Sequence, residues 1–123
     1  MPTSIVPKMK YDAMVDEARY LIDKAYERLG NKIESIHLNE EPNRYPSMFK
    51  NAITGWLQVY VALSNGYDVS IIWSDYSYGG DQLLWELALF KDNTIVYNSD
   101  YPDVVGYLSC SDVLENLVKI SQY

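Results

Sequence analysis

The sequence predicts an α+β fold: a small antiparallel β-meander of three or four strands, packed with two N-terminal helices and one C-terminal helix. Three observations carry this prediction. Apolar residues recur at helical spacing near both ends of the chain. Between residues 69 and 98 the pattern changes to strand-like alternation broken by turn signals. The connections between those alternating runs are too short for parallel crossovers, so pairing is antiparallel. With 123 residues, the whole chain, 1–123, is expected to form one domain.

The first helix is placed at 9–29. Tyr11, Met14, Val15, Ala18, Leu21, Ile22, Ala25 and Leu29 make its apolar stripe, and Asp12, Asp16, Arg19, Asp23 and Glu27 its polar face. Gly30-Asn31 supplies the stop. Residues 33–38 form a weak, short strand pattern, and Asn39 to Pro46, with two prolines, reads as a loop. A second helix is then expected from Ser47, as N-cap, to about Ser64. Its stripe is Phe49, Ala52, Ile53, Trp56, Leu57, Tyr60 and Leu63, and Gly55 sits inside it at a cost of about 1 kcal/mol.

Val69, Ile71 and Trp73 alternate with serines and begin the meander. After a turn containing Gly79-Gly80, residues 83–90 place apolar side chains on both faces, as in a central strand covered at least partly on each side. Asp92-Asn93 is a tight-turn signal, and 94–98 is the return strand. The last helix runs from about Cys110 to Ser121. Ser109 is its N-cap, Asp112 completes a variant capping box, and Leu108 with Val113 fills the hydrophobic-staple positions.

Composition narrows the chemistry. One cysteine precludes an intrachain disulfide, no apolar run approaches the roughly 20 residues of a membrane helix, and Met1–Lys10 lacks a signal-peptide core, so a cytoplasmic location is expected. His37 is the one histidine and Cys110 the one thiol, and nothing in their spacing brings them together as a catalytic pair. One histidine and one cysteine cannot make a structural zinc site, and no calcium-binding loop is present. Gly79-Gly80 lacks the flanking residues of a phosphate loop and lies beside Asp75 and Asp81, which repel phosphate. Catalytic residues, metal ligands and cofactor are therefore all expected to be none.

Charge is the most informative feature. Residues 1–62 hold eight basic and eight acidic side chains, whereas 63–123 hold two basic and nine acidic ones, so the net charge of −7 lies entirely in the second half. No lysine or arginine occurs between Lys50 and Lys91. Such a surface lacks the basic footprint of direct nucleic-acid binding and attracts basic partners. Twelve tyrosines accompany the acids, several of them in expected loops. If the meander brings its loops to one end, Asp75, Tyr76, Tyr78, Asp81, Asp100, Tyr101 and Asp103 cluster on one rim. Tyrosine gives contact area at little entropic cost and carboxylates pair with Arg and Lys, so the rim suits a basic protein surface such as that of a nuclease.

The function this favours is a non-catalytic, stoichiometric inhibitor that occludes a basic, nucleic-acid-binding site on a partner enzyme. Small acidic domains of this general look recur among toxin-immunity proteins and phage-encoded anti-CRISPR proteins. That likeness is one of size, charge and missing motifs. The alternative is a structural or adaptor module acting through homodimerisation, and the third reading is a small hydrolase using carboxylates or Cys110.

Overall fold

In the computed structural model, which describes residues 7–42, 55–74 and 77–123, two helices flank six strands. Helix α1 spans Pro7–Leu29 and is followed by a single 3₁₀ turn, Gly30–Lys32. The strands are β1 (Ile33–Pro42), β2 (Gly55–Leu63), β3 (Tyr67–Ser74), β4 (Trp85–Lys91), β5 (Thr94–Ile95) and β6 (Val105–Leu108). Helix α2, Cys110–Ser121, closes the order. The strands form one antiparallel sheet in the order β1-β2-β3-β4-β5, with β6 pairing β4 as well. The α+β class stands, but with two helices and six strands in place of three helices and three or four strands.

The missing helix accounts for the difference. Residues 55–63, expected to be the second half of a helix, form β2 between β1 and β3. Leu57, Val59, Val61 and Leu63 are buried, while Trp56, Gln58, Tyr60 and Ala62 alternate with them on the other face. Nearly every residue of this run is apolar, so the sequence satisfies period 3.6 and period 2 together. The β-branched Val59 and Val61, with Trp56 and Tyr60, favour the strand once neighbours pair on both sides. The helix start assigned to Ser47, with Phe49, Ala52 and Ile53, lies outside the described residues. Strand β1 also runs past 38, because Asn39–Pro42 pair in register with Gln58–Gly55.

One face of the sheet carries the core. Met14, Ala18, Leu21 and Ala25 of α1, with Val113, Leu117 and Ile120 of α2, pack with Leu57, Val59, Ile71, Trp73, Trp85 and Leu87 from the central strands. The β2–β3 turn is tied to this layer, because Asn65 Nδ2 donates to the Ile120 carbonyl at 2.8 Å. Asp92 and Asn93 form the two-residue β4–β5 turn, both with positive φ (51° and 62°), the backbone that short hairpins demand.

The capping box of α2 forms as read. Ser109 Oγ accepts from Asp112 N at 3.1 Å, and Asp112 Oδ2 accepts from Ser109 N at 3.1 Å. Substituting Ser109→Ala is expected to cost about 1 kcal/mol, measured by urea denaturation, since the Asp112 N–H then turns to water. An unchanged midpoint would show that the cap contributes nothing.

On the opposite face, no helix packs among the described residues. Asn39 Nδ2 donates to Gln58 Oε1, and Gln58 Nε2 donates to Ser70 Oγ, a polar chain across β1, β2 and β3. Tyr60 donates to Asp68 at 2.9 Å and stacks obliquely near Phe90. The expected partial cover of β4 on both sides thus resolves into buried Trp85, Leu87 and Leu89 on the helix side and half-buried Glu86, Ala88 and Phe90 on the other. Among the described residues, no helix is long and apolar enough to cross a membrane.

Candidate functional site

The rim expected from the meander divides, because the chain leaves the sheet after a short β5. Val96 N still donates to the Leu89 carbonyl at 2.8 Å. Asn98 then turns the chain: its backbone N–H donates to the Tyr101 carbonyl, and its side chain accepts from Tyr101 N at 2.7 Å. This Asx turn drops Tyr101 into the core, 3% exposed, where its hydroxyl donates to Asn116 of α2. The chain re-enters the sheet only at Val105, halfway along β4, opposite Leu87.

Asp100 accordingly faces α2. It accepts from the Tyr123 hydroxyl at 2.9 Å and lies 3.3 Å from Lys119 Nζ, contacts that hold its carboxyl below the usual range. Tyr123 in turn meets the Tyr67 ring edge-on, and Lys91 stands over Tyr67 at 4.8 Å. Both basic side chains of the second half, Lys91 and Lys119, are therefore gathered in one cluster at the sheet end where β4 finishes. Tyr101 is withdrawn from any contact surface by burial, whereas Asp100 stays exposed and pairs with Lys119. Asp103 is exposed, with its carboxylate accepting from Val104 N. Asp75 and Tyr76 lie outside the described residues.

Tyr78 and Asp81 sit at the other end, in the β3–β4 connection. Tyr78 is 59% exposed, and its neighbour is a residue that sequence reasoning passed over: Tyr107 of β6, 58% exposed. Tyr107 N donates to the Tyr78 carbonyl at 3.2 Å, and Tyr78 N donates to Glu86 Oε2 at 3.2 Å. Gly106 makes the junction possible, because a Cβ there would stand 2.2 Å from Tyr78 Cβ. Tyr107 itself adopts φ +60°, a left-handed backbone costing roughly 1–2 kcal/mol in a residue with a side chain. The one local hint was the glycine interrupting a four-residue apolar and aromatic run, Val105-Gly106-Tyr107-Leu108.

The thiol has a separate setting. Cys110 Sγ donates to Glu17 Oε1 at 3.2 Å, and the buried Trp85 donates its indole N–H to the same oxygen at 3.3 Å. Burial, and then the Glu17 carboxylate, push the thiol up to about 12. It is therefore protonated at neutral pH and a poor nucleophile despite its place at a helix start. It borders an open cleft of about 680 Å³ between α1 and α2, lined also by Asp16, Glu17, Tyr20 and Leu114. His37, paired opposite Tyr60, is on the far face of the sheet from Cys110, so the sheet separates the two groups a thiol–imidazole pair would need. Among the described residues, no group of three His, Cys, Asp or Glu side chains is placed to hold a metal ion.

No family model, curated protein or solved structure matches this chain.

Proposed function

We propose that the protein is a non-catalytic binding protein that occludes a basic, nucleic-acid-binding surface of a partner enzyme, in the manner of a phage anti-defence or toxin-immunity inhibitor. The observation that carries this reading is the Tyr78–Tyr107 pair: two exposed tyrosines whose backbones are tied by a hydrogen bond and a close approach at Gly106, one of them on a strained backbone, with Asp81 in the same loop as Tyr78. Strain of this kind persists where the position of a side chain matters. Tyrosine is favoured at interface centres, and the nearest acids draw arginine and lysine. Lys91 and Lys119, the two cations of this half of the chain, sit at the opposite sheet end, so neither opposes a positive surface approaching there.

The test uses the immobilised protein and a panel of purified nucleases and DNA-binding enzymes, at low and high salt. One panel member is expected to bind at low salt, to be inhibited in equimolar amount, to be released as salt rises, and to be displaced by DNA. The triple variant Tyr78→Ala/Tyr107→Ala/Asp81→Lys is expected to lose at least 2 kcal/mol of that binding, on the order of a thirtyfold change in Kd, with its circular dichroism unchanged. Full binding by the triple variant, or binding that DNA does not displace, would remove the reading.

A second reading, an adaptor that self-associates, draws on the sheet face without a helix, where Tyr60, Ile72 and Phe90 are half-buried. Light scattering separates the two: a concentration-independent dimer indifferent to basic proteins favours the adaptor.

A further inference from the structure

The two edges of the sheet are built differently. The β5/β6 edge is broken into strands of two and four residues, separated by the 97–104 excursion. Its outer side is already engaged at Tyr107, which donates to Tyr78. The β1 edge is a ten-residue strand, irregular between Ile33 and Ser35 and regular from Ser35 to Pro42, that pairs only with β2 among the described residues. An edge of that length presents a row of backbone donors and acceptors to any strand that comes beside it. Among the described residues the stretch from Ser35 to Pro42 is the longest edge segment without a second partner, whereas the far edge is broken.

The side chains of β1 select which strand fits there. On the helix side of the sheet, Ile36 and Leu38 lie opposite Val61 and Val59 and are only half-buried, alongside Val15 and Ile22 of α1. Glu40 continues the same row, opposite Leu57, and Glu34 is exposed near the other end. No lysine or arginine occurs between residues 33 and 42. Among the described residues, Glu40 pairs with Arg19 at 3.6 Å, an exposed pair that contributes little. A second copy of this chain fits badly. The antiparallel register that sets Ile36 opposite Leu38, with the helices of both copies on one side, also brings the Glu34 end of each strand to the Glu40 end of the other, so the exposed carboxylates meet like charge at both ends.

We infer that the free edge of β1 accepts a β-strand from a partner segment that carries apolar residues two apart, to cover Ile36 and Leu38, and a lysine or arginine two further on to meet Glu40. Backbone bonds supply the affinity and the alternating side chains the selectivity. This surface is at the opposite edge of the sheet from Tyr107 and does not depend on the inhibitor reading.

The experiment titrates the isotope-labelled full chain with two synthetic peptides, Lys-Thr-Ile-Thr-Ile-Thr-Lys and the same peptide with glutamate ends, followed by NMR. The lysine peptide is expected to shift the backbone amides of residues 33–40 and to slow the exchange of alternate amides among them. The glutamate peptide is expected to bind about tenfold more weakly or worse. The variant Glu34→Lys/Glu40→Lys should reverse that order, and if it fails to fold, the two peptides on the unaltered chain still decide. Any of four results overturns the inference: no binding of the lysine peptide at millimolar concentration, equal binding of both, shifts confined to other surfaces, or slowed β1 exchange that rises with protein concentration alone.

Discussion

Stability is expected to fall steeply as the pH rises from about 9 toward 12, and the protein to unfold within that window. Three groups hold their protons in the native state beyond the point at which the unfolded chain releases them. Burial and Glu17 push Cys110 from 9.0 up to about 12. Burial, with the hydrogen bond to Asp68, pushes Tyr60 from 10.0 to about 12. Burial raises Tyr101 well above 10.0. Above these unfolded values the unfolded chain binds fewer protons than the native one, so each rise in pH favours unfolding. Well below these unfolded values, from about pH 8 downward, all three groups are protonated in both states and contribute little pH dependence. Each group contributes at most about 1.4 kcal/mol per pH unit, and three together act on a total stability of only about 5–15 kcal/mol. Urea denaturation from about pH 8 to about pH 11 measures the fall. Cys110→Ser should move its onset up by about one unit, and Tyr101→Phe should reduce its slope. A flat profile to pH 11, or one unaltered in both variants, would mean that these groups are hydrated in the native state.

Elements specified by their own neighbours in the chain were legible in the sequence. Helix α1 reads directly because its apolar and charged residues separate cleanly onto two faces. The α2 cap and the Asp92-Asn93 turn depend on three or four consecutive residues, and both form as read. The second predicted helix failed where local evidence was balanced. From Gly55 to Leu63 helical and strand periodicities coincide, and the decision rests with β1 and β3, which lie far along the chain. Asn39–Pro42 were read as loop for the same reason: their strand character comes from pairing with Gln58–Gly55, not from their own polar composition.

The candidate surface was legible in composition but not in arrangement. The charge imbalance, and the value of Tyr78 and Asp81 as exposed loop residues, follow from the sequence alone. The fate of Tyr101 does not, because it is set by Asn116 on α2 and by the Asx turn at Asn98 that sends the chain inward. A continuous return strand from 94 would have joined both loops in one rim. The short β5 separates them and puts Tyr107, three residues before the α2 start at Cys110, beside Tyr78 instead.

Replacing Gly80 with alanine is expected to be among the most damaging single substitutions in this chain, although it adds only one methyl group. The added Cβ would stand 1.8 Å from the Ser74 carbonyl oxygen. That oxygen cannot retreat easily, because it accepts from Ser77 N at 3.2 Å and from Ser77 Oγ at 2.9 Å. Gly80 cannot retreat either: its own carbonyl accepts the indole N–H of Trp73 at 2.9 Å, and Trp73 is fully buried. Any shift that relieves the collision therefore strips a buried donor of its partner. Overpacking and an unsatisfied buried group together give an expected loss on the order of 3–5 kcal/mol. Gly66→Ala separates this cause from backbone strain. Gly66 has φ +92°, yet nothing lies within 4 Å of its Cβ position, so its cost is conformational and about 1 kcal/mol. Thermal and urea melts of the two variants, with the near-ultraviolet signal of Trp73 as reporter, should rank Gly80→Ala well below Gly66→Ala. Equal losses would mean that the β3–β4 loop yields at no cost, and the rigid seat assigned to Tyr78 beside Tyr107 would go with it.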